Sequence, residues 1–592
     1  MVEASKQINN HAGFIWSVAD LLRGDYKQSE YGRVVLPLTV LRRLDCVLDP
    51  VKPAMLDKYG QVKGKVKNFG PLLDQLTDIR DLWNISKFDF PKLLDDPDHI
   101  ADNLRAYVAG FSSEIRDIID KFDFAAQITR LDKANLLYMV VSKFAEIDLH
   151  PDKVSNIEMG YLYEELIRRF SELSNETAGE HFTPREVIRL MVSLLFIEDD
   201  DLLSKPGIVK TVFDPACGTG GMLSVAEDYL RHHNPHAQLK VSGQELNAET
   251  YAVCRSDMML KGQDASNIVY GNSFSDDGHQ GRHFDYLLAN PPFGVAWKKV
   301  RKEVKDEHRT KGFAGRFGAG LPPINDGTFL FLQHMISKMK PALEGGSRLA
   351  IVFNGSPLFT GAAQSGPSEI RRWIIENDRL EAVVALPDQL FYNTGISTYF
   401  WIVTNRKTSE RKGKVQLVDA RELWTKMRKS LGEKRKEISD DQIAEIVGLY
   451  GDFEENDQVK ILPNETFGFL RITVDRPLDG EVDAKGHPKA DPSLRDNENV
   501  TLPDGRALYE SDPAERIGSA EYRTAIDEYM ATEVLPYVPD AWVDYSKTKI
   551  GYEIPLTRHF YEYEPPRPLE KIDAEIKELD REVQTLLRGM AG

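Results

Sequence analysis

Asn290-Pro291-Pro292-Phe293 closes an apolar run, FDYLLANPPFG, and earlier in the chain a glycine-rich turn, DPACGTGGM, begins at Asp214. An exocyclic amine on a purine ring is conjugated with that ring and is a weak nucleophile. It attacks better when both of its N–H bonds point at acceptors. The Asn290 side-chain carbonyl offers one acceptor. The Pro291 backbone carbonyl, held rigid by the Pro-Pro pair, offers the other. Phe293 offers an aromatic face on which a base could stack. Gly218, Gly220 and Gly221 allow a sharp turn and a close approach to a ligand, and the free N–H groups of the following helix point the same way. Asp214 can accept from a charged amino group, and Glu245 ends the next strand, where a carboxylate meets ribose hydroxyls. The phosphate fingerprint G-x-G-x-x-G is not matched, so the pattern favours a nucleoside cofactor without phosphates, S-adenosylmethionine. A sulfonium is already an excellent leaving group, so placement does most of the work and no strong base is required. Taken singly, N-P-P is a common strand stop and a glycine turn recurs in many folds. The combination points to methyl transfer onto a planar amine, and a duplex base would have to be flipped out to reach it.

A third segment, GEHFTPREV, precedes these two. Thr183 is expected to be an N-cap, with Pro184 the first residue of a helix running PREVIRLMVSLL. The same helix N-terminus could meet a cofactor carboxylate.

The elements that must position these groups are set by periodicity. Residues 1–150 are expected to be a helical N-terminal domain, with Ile15, Val18, Ala19 and Leu22 on one helical face. From about residue 205 apolar runs alternate with helical stretches, which predicts an α/β, Rossmann-like doubly wound sheet within residues 151–420. Ligands of such sheets bind outside the carboxyl ends of the strands, and Asp214, Glu245, Asn272 and Asn290 all fall at those ends. TYFWIVTN and KVQLVDA are expected as antiparallel edge strands, and LWTKMRKSLGEKRKEI as a basic helix. Residues 421–540 form a mixed, loop-rich region, with 475–505 loop or partly disordered. In the tail, 541–592, Leu569, Ile572, Ile576, Leu579, Val583 and Leu586 recur at alternating spacings of 3 and 4, a heptad seam suited to a partner helix.

Composition narrows the class. At 592 residues with 41% hydrophobic and 28% charged, the chain has material for a large core and several domains. No apolar stretch of membrane-spanning length and no signal-peptide pattern is found, and three scattered cysteines do not make a disulfide framework or a zinc site, so a cytoplasmic protein is expected. The net charge of −18 makes non-specific DNA binding poor, because that affinity comes from Lys and Arg displacing counterions. One basic stretch, WKKVRKEVKDEHRTKGFAGRFG, comes directly after the Asn290 segment and is a candidate DNA contact beside the plainer reading of a solvated loop.

These segments in succession, from NHAGFIWSVADLLRG through GEHFTPREV, DPACGTGGM, GQELNAETYAVC, FDYLLANPPFG and LEAVVALPDQLFYNTGIST to EIPLTRHFYEYEPPRPLEKIDAEI, resemble the modification (M) subunit of type I restriction–modification systems. The resemblance covers most of the chain. It implies an adenine-N6 DNA methyltransferase acting in phage defence. It places cofactor contacts at Glu180, His181, Phe182, Thr183, Pro184 and Arg185, at Gly218, Thr219 and Gly220, and at Glu245, with catalysis by Asn290, Pro291, Pro292 and Phe293. It implies a specificity (S) subunit that reads double-stranded DNA, two M to one S, and an ATP-dependent restriction (R) subunit as a further partner. Without a Walker A pattern this chain is not expected to translocate or cut DNA. Asn272 departs from the pattern, where an acidic residue is usual, so the group that meets the cofactor adenine at that strand end is left open. Two other readings stay beside this one. One is a stand-alone adenine methyltransferase with its own recognition region. The other is a cofactor-binding scaffold that no longer transfers methyl groups.

Overall fold

The computed structural model describes residues 13–174, 183–199, 205, 207–392, 394–482, 486–503, 514–561 and 568–590. Its centre is a nine-stranded sheet. The strands are β1 (Val209–Asp214), β2 (Gln238–Glu245), β3 (Ile268–Tyr270), β4 (Tyr286–Ala289), β5 (Arg348–Asn354), β6 (Leu380–Ala385), β7 (Thr398–Thr404), β8 (Lys414–Asp419) and β11 (Val459–Pro463). Between the last two in the chain come β9 (Thr425–Leu431) and β10 (Lys434–Glu437), which pair only with each other. The order across the central sheet is β11-β8-β6-β7-β5-β4-β1-β2-β3. β3, β2, β1, β4 and β5 pair in parallel. Their connections carry helices, among them Gly221–His233 between β1 and β2 and Ala248–Leu260 between β2 and β3. With both faces covered, the strands read as continuous apolar runs: β4 and β6 are buried at every position.

Two strands differ from expectation. β7 is not at an edge; it lies antiparallel between β5 and β6. Both its sides are therefore occupied, and β8 adds to the open side of β6, in parallel with it. The antiparallel edge strand is β11.

The basic stretch expected as a helix is the hairpin β9–β10, with Gly432 at φ 60° in the turn. Leu423, Met427 and Leu431 are half-buried at spacings of four, an interval that satisfies a period of 2 as well as 3.6. Residues 475–505 also hold strands. Asp496–Thr501 pairs along six positions of Gly468–Asp475, and Pro477–Val482 pairs with Pro488–Ala490. Their side chains are largely exposed, so backbone pairing holds them and no apolar pattern marks them.

The N-terminal helices, Gly32–Leu48 and Asn156–Ser174 among them, enclose their own apolar cluster, and Ile15, Val18, Ala19 and Leu22 are all buried in it. Ala252, Val253 and Met259, from the helix after β2, belong to the same cluster, which ties it to the sheet. Residues Pro555–Gly592 form a separate compact unit with the helix Leu569–Met590. No helix among the described residues is long and apolar enough to cross a membrane.

Candidate active site

The carboxyl ends of β1, β2, β3 and β4 open on one cavity of about 600 Å³. Asp214, Glu245, Asn272 and Asn290 all line it, together with Thr183, Gly218, Thr219 and Pro292.

The glycine turn is built from backbone that only glycine adopts easily: Gly218 has φ 54° and Gly220 φ 83°. A Cβ on Gly220 would stand 2.7 Å from the Cys254 sulfur, and one on Gly221 2.8 Å from Glu164 Oε1, so side chains are excluded behind the turn. A Cβ on Gly218 would meet nothing within 4 Å, so that side is open. Glu245 closes the turn from the next strand. Its Oε2 accepts from the Gly218 N–H at 2.8 Å and its Oε1 from the Asn247 N–H at 2.7 Å. Asn247 in turn caps the helix Ala248–Leu260 by accepting from Glu249 and Thr250. Asp214 is 2% exposed and accepts from the Ala216 N–H at 2.9 Å. Burial, with a smaller push from the Glu245 carboxylate, raises its carboxyl to about 8 against that one hydrogen bond.

Asn290 leaves β4 next to β1, and its Nδ2 donates to Thr183 Oγ1 at 2.7 Å. The hydroxyl expected to cap a helix is thus spent on orienting the Asn290 amide, whose side-chain oxygen is itself buried. The helix starts one residue later than expected. It runs Arg185–Phe196 with Pro184 at the N-cap and no side-chain cap hydrogen bond. Arg185 does not line the cavity. It pairs with Glu164 at 2.7 Å and lies over the Tyr161 ring, behind the Gly221 carbonyl. Glu180, His181 and Phe182 lie outside the described residues.

Phe293 departs from expectation. It is 6% exposed, belongs to the apolar cluster around Val187, Ile188 and Met222, and does not line the cavity. A phenyl ring gains more from core packing than from a place in water. Pro291 and Gly220 likewise do not line the cavity, although their neighbours Asn290, Pro292, Thr219 and Gly221 do. The Asn272 side-chain carbonyl accepts from the Phe274 N–H at 2.9 Å, so this side chain shapes the turn after β3.

Several lining residues are not foreseen from the sequence. Glu164 reaches the cavity from the helix Asn156–Ser174, and burial raises its carboxyl above the usual range. Phe274 and Phe331 form an aromatic wall, with ring centroids 4.6 Å apart. Arg316 fixes that wall, donating to the carbonyls of Ser273 and Phe274 at 2.7 Å each while paired with Glu307. It thereby anchors the helix Arg301–Lys311, on which Val304 is buried and Arg301, Lys302, Lys305 and Arg309 are exposed.

A sequence model of the N-6 DNA Methylase family matches residues 155–465, and one of the HsdM N-terminal domain matches residues 12–144. The chain is 26% identical over 480 residues to the type I restriction enzyme MjaIX methylase subunit of Methanocaldococcus jannaschii, covering 78% of this chain and 80% of that protein. It is 31% identical over 268 residues to the type I restriction enzyme HindI methylase subunit of Haemophilus influenzae, covering 45% and 54%. Among solved structures, the type I restriction-modification system methyltransferase subunit from Streptococcus thermophilus shares the fold with a TM-score of 0.61 at 23% identity, over 78% of this chain and 97% of that one.

Proposed function

Because this chain belongs to the N-6 DNA methylase family, we propose that its cavity binds S-adenosylmethionine and that the Asn290–Phe293 corner receives the N6 amine of a flipped-out adenine. The observation that carries the reading is the shared cavity: the glycine turn, the two carboxylates and Asn290 all face it. Its volume of about 600 Å³ falls in the range of small-molecule sites. The residues present fit the cofactor. Asp214 and Glu245 suit a cationic amino acid and ribose hydroxyls, the open face of Gly218 allows close approach, and Phe274 with Phe331 gives an apolar wall for an adenine ring. When bound, the cofactor supplies an electrophilic methyl carbon.

The chain's own contribution is placement. The Asn290 carbonyl accepts one amine hydrogen and the Pro291 carbonyl the other, which frees the nitrogen lone pair for attack. Thr183 holds the Asn290 amide by its nitrogen and so fixes the direction of its carbonyl. In this reading Phe293 leaves its apolar cluster when a base enters and trades core contacts for base stacking. The exposed cations of the helix Arg301–Lys311 meet the DNA backbone beside the cavity.

Sequence recognition falls to a separate specificity subunit, with two copies of this chain to one of it, in the cytoplasm. An ATP-dependent restriction subunit is a further partner. The relatives support this, being methylase subunits of type I restriction enzymes. The C-terminal unit supports it too: Leu569, Ile576, Leu579 and Val583 are exposed at heptad positions of its helix. Removing residues after 565 should weaken assembly with the specificity subunit about tenfold or more and leave cofactor affinity unchanged. Unaltered complex formation by light scattering refutes that role. The activity itself is tested by incubating the assembled complex with tritiated cofactor and DNA. Label is expected on N6-methyladenine after nuclease digestion, and label on cytosine, or none, refutes the reading. Methylation by the single chain alone would favour the stand-alone alternative.

A further inference from the structure

The hairpin β9–β10 carries two sets of cations. The first set pins it down. Lys434 is buried; its ammonium meets the Glu186 carboxylate and donates to the carbonyls of Leu390 at 3.1 Å and Lys436 at 2.8 Å. Lys436 pairs with Asp388 and stands 4.1 Å from the centroid of the Trp424 ring. Backbone hydrogen bonds complete the attachment, from the Glu433 N–H to the Tyr392 carbonyl at 2.8 Å and from the Arg435 N–H to the Gln389 carbonyl at 3.0 Å. The hairpin is thereby fixed to the loop after β6 and to the helix Arg185–Phe196. That helix begins two residues after Thr183, whose hydroxyl holds Asn290.

The second set is Lys426, Arg428, Lys429 and Arg435. All four are exposed, and among the described residues none has a carboxylate partner. Some exposed cations elsewhere are paired, such as Arg23 with Asp20, Lys143 with Glu146 and Arg309 with Asp306, while Arg301, Lys302 and Lys305 beside the cavity are exposed like those of the hairpin. On a chain of net charge −18 the hairpin carries Lys426, Arg428, Lys429, Lys434, Arg435 and Lys436 against Glu433 and Glu437, a local excess of positive charge. Solubility does not require it, since the net charge is already far from zero. A two-stranded ribbon is also narrow enough to enter the major groove.

We infer that this hairpin is a duplex-DNA arm: Lys426, Arg428, Lys429 and Arg435 neutralise backbone phosphates of the duplex from which the target base is taken. The inference rests on the cavity being a DNA-modifying site. Its anchorage beside Thr183 and Asn290 sets the reach, so that the arm grips DNA close to the cavity.

The test uses the full-length chain and a 5′-fluorescein duplex of arbitrary sequence, with binding followed by anisotropy between about 50 and 200 mM KCl. In the variant Lys426→Gln, Arg428→Gln, Lys429→Gln, Arg435→Gln, the slope of log affinity against log salt should lessen by roughly 3 to 4, at about 0.9 for each phosphate no longer neutralised. Affinity in the middle of that salt range should fall at least tenfold. A second variant that swaps Lys for Arg and Arg for Lys at the same four positions should keep the wild-type slope. Cofactor affinity by calorimetry should be the same in all three proteins, which shows that the fold is intact. An unchanged slope in the glutamine variant overturns the inference, as does a wild-type chain with no salt-dependent duplex binding. A glutamine variant that keeps its slope but loses a protein partner also overturns it. Failure of the cavity reading would appear elsewhere, as absent methyl transfer by the wild-type complex.

Discussion

Asn290→Ala should abolish nearly all methyl transfer while cofactor affinity stays within about threefold of the wild type. The substitution removes a carbonyl that the amine meets as it attacks, and a single positioned polar group of this kind is worth roughly 3 kcal/mol or more, a hundredfold or greater in rate. Asn290 sits at the end of β4, while the Glu245 carboxylate that closes the glycine turn ends β2, with β1 between them, so the cofactor side should not register the loss. The Thr183 hydroxyl sharpens the expectation. Thr183→Val keeps the shape but deletes the oxygen that accepts from Asn290 Nδ2. It should lower the turnover rate by a smaller factor, about tenfold, because the amide is then free to turn. Single-turnover transfer with labelled cofactor separates these effects from binding. Equal rates for Asn290→Ala and wild type would remove Asn290 from the chemistry.

Asp214→Asn should stabilise the cofactor-free protein and weaken cofactor binding, in a manner that depends on pH. The Asp214 carboxyl is raised to about 8 in the folded state, chiefly by burial. The folded chain therefore holds this proton more tightly than the unfolded chain does. Its contribution to stability is fully present below the unfolded pKa of about 4 and is lost as pH rises from there through about 8. The ceiling on that loss is roughly 5 kcal/mol, and relaxation around the charge should leave about 2. Asparagine carries no charge and still accepts from the Ala216 N–H. The variant should thus match the wild type in thermal melting near pH 4 and exceed it by about two degrees near pH 8.5. Cofactor affinity should drop by about tenfold or more, because the carboxyl that gives up its proton to meet the ligand's positive charge is gone. A melting difference that does not change between those two pH values overturns this account of Asp214.

The groups at strand ends are legible because the strands of a parallel sheet announce themselves as apolar runs, and the residues just past each run lie at the same edge. Asp214, Glu245, Asn272 and Asn290 are found in this way, and all line the cavity. Glu164 and Phe331 escape it, since each sits inside a helix whose own periodicity reports packing only. Their arrival at the cavity depends on how whole elements dock. The position of Thr183 before Pro184 points to helix capping, a local rule that tertiary contact with Asn290 overrides. The type and place of Phe293 suggest a base-stacking surface, and the core cluster claims its ring instead. The hairpin at 425–437 resembles a helix in sequence because its half-buried residues lie four apart. A single polar or glycine position decides such cases, here Gly432 with its left-handed backbone.

The reversed strand β7 has a geometric consequence for the reactive edge. In an all-parallel sheet each chain segment that reaches this edge must leave it by a crossover and return from the far side. Here β6 ends at the edge and β7 begins there, so the segment 386–397 is tethered at both ends in the same place. It carries Gln389 and Tyr392, whose carbonyls hold the basic hairpin. One inverted strand thus converts what would be a passing connection into a fixed bracket, and gives the hairpin a rigid mount beside the chemistry without lengthening the sheet.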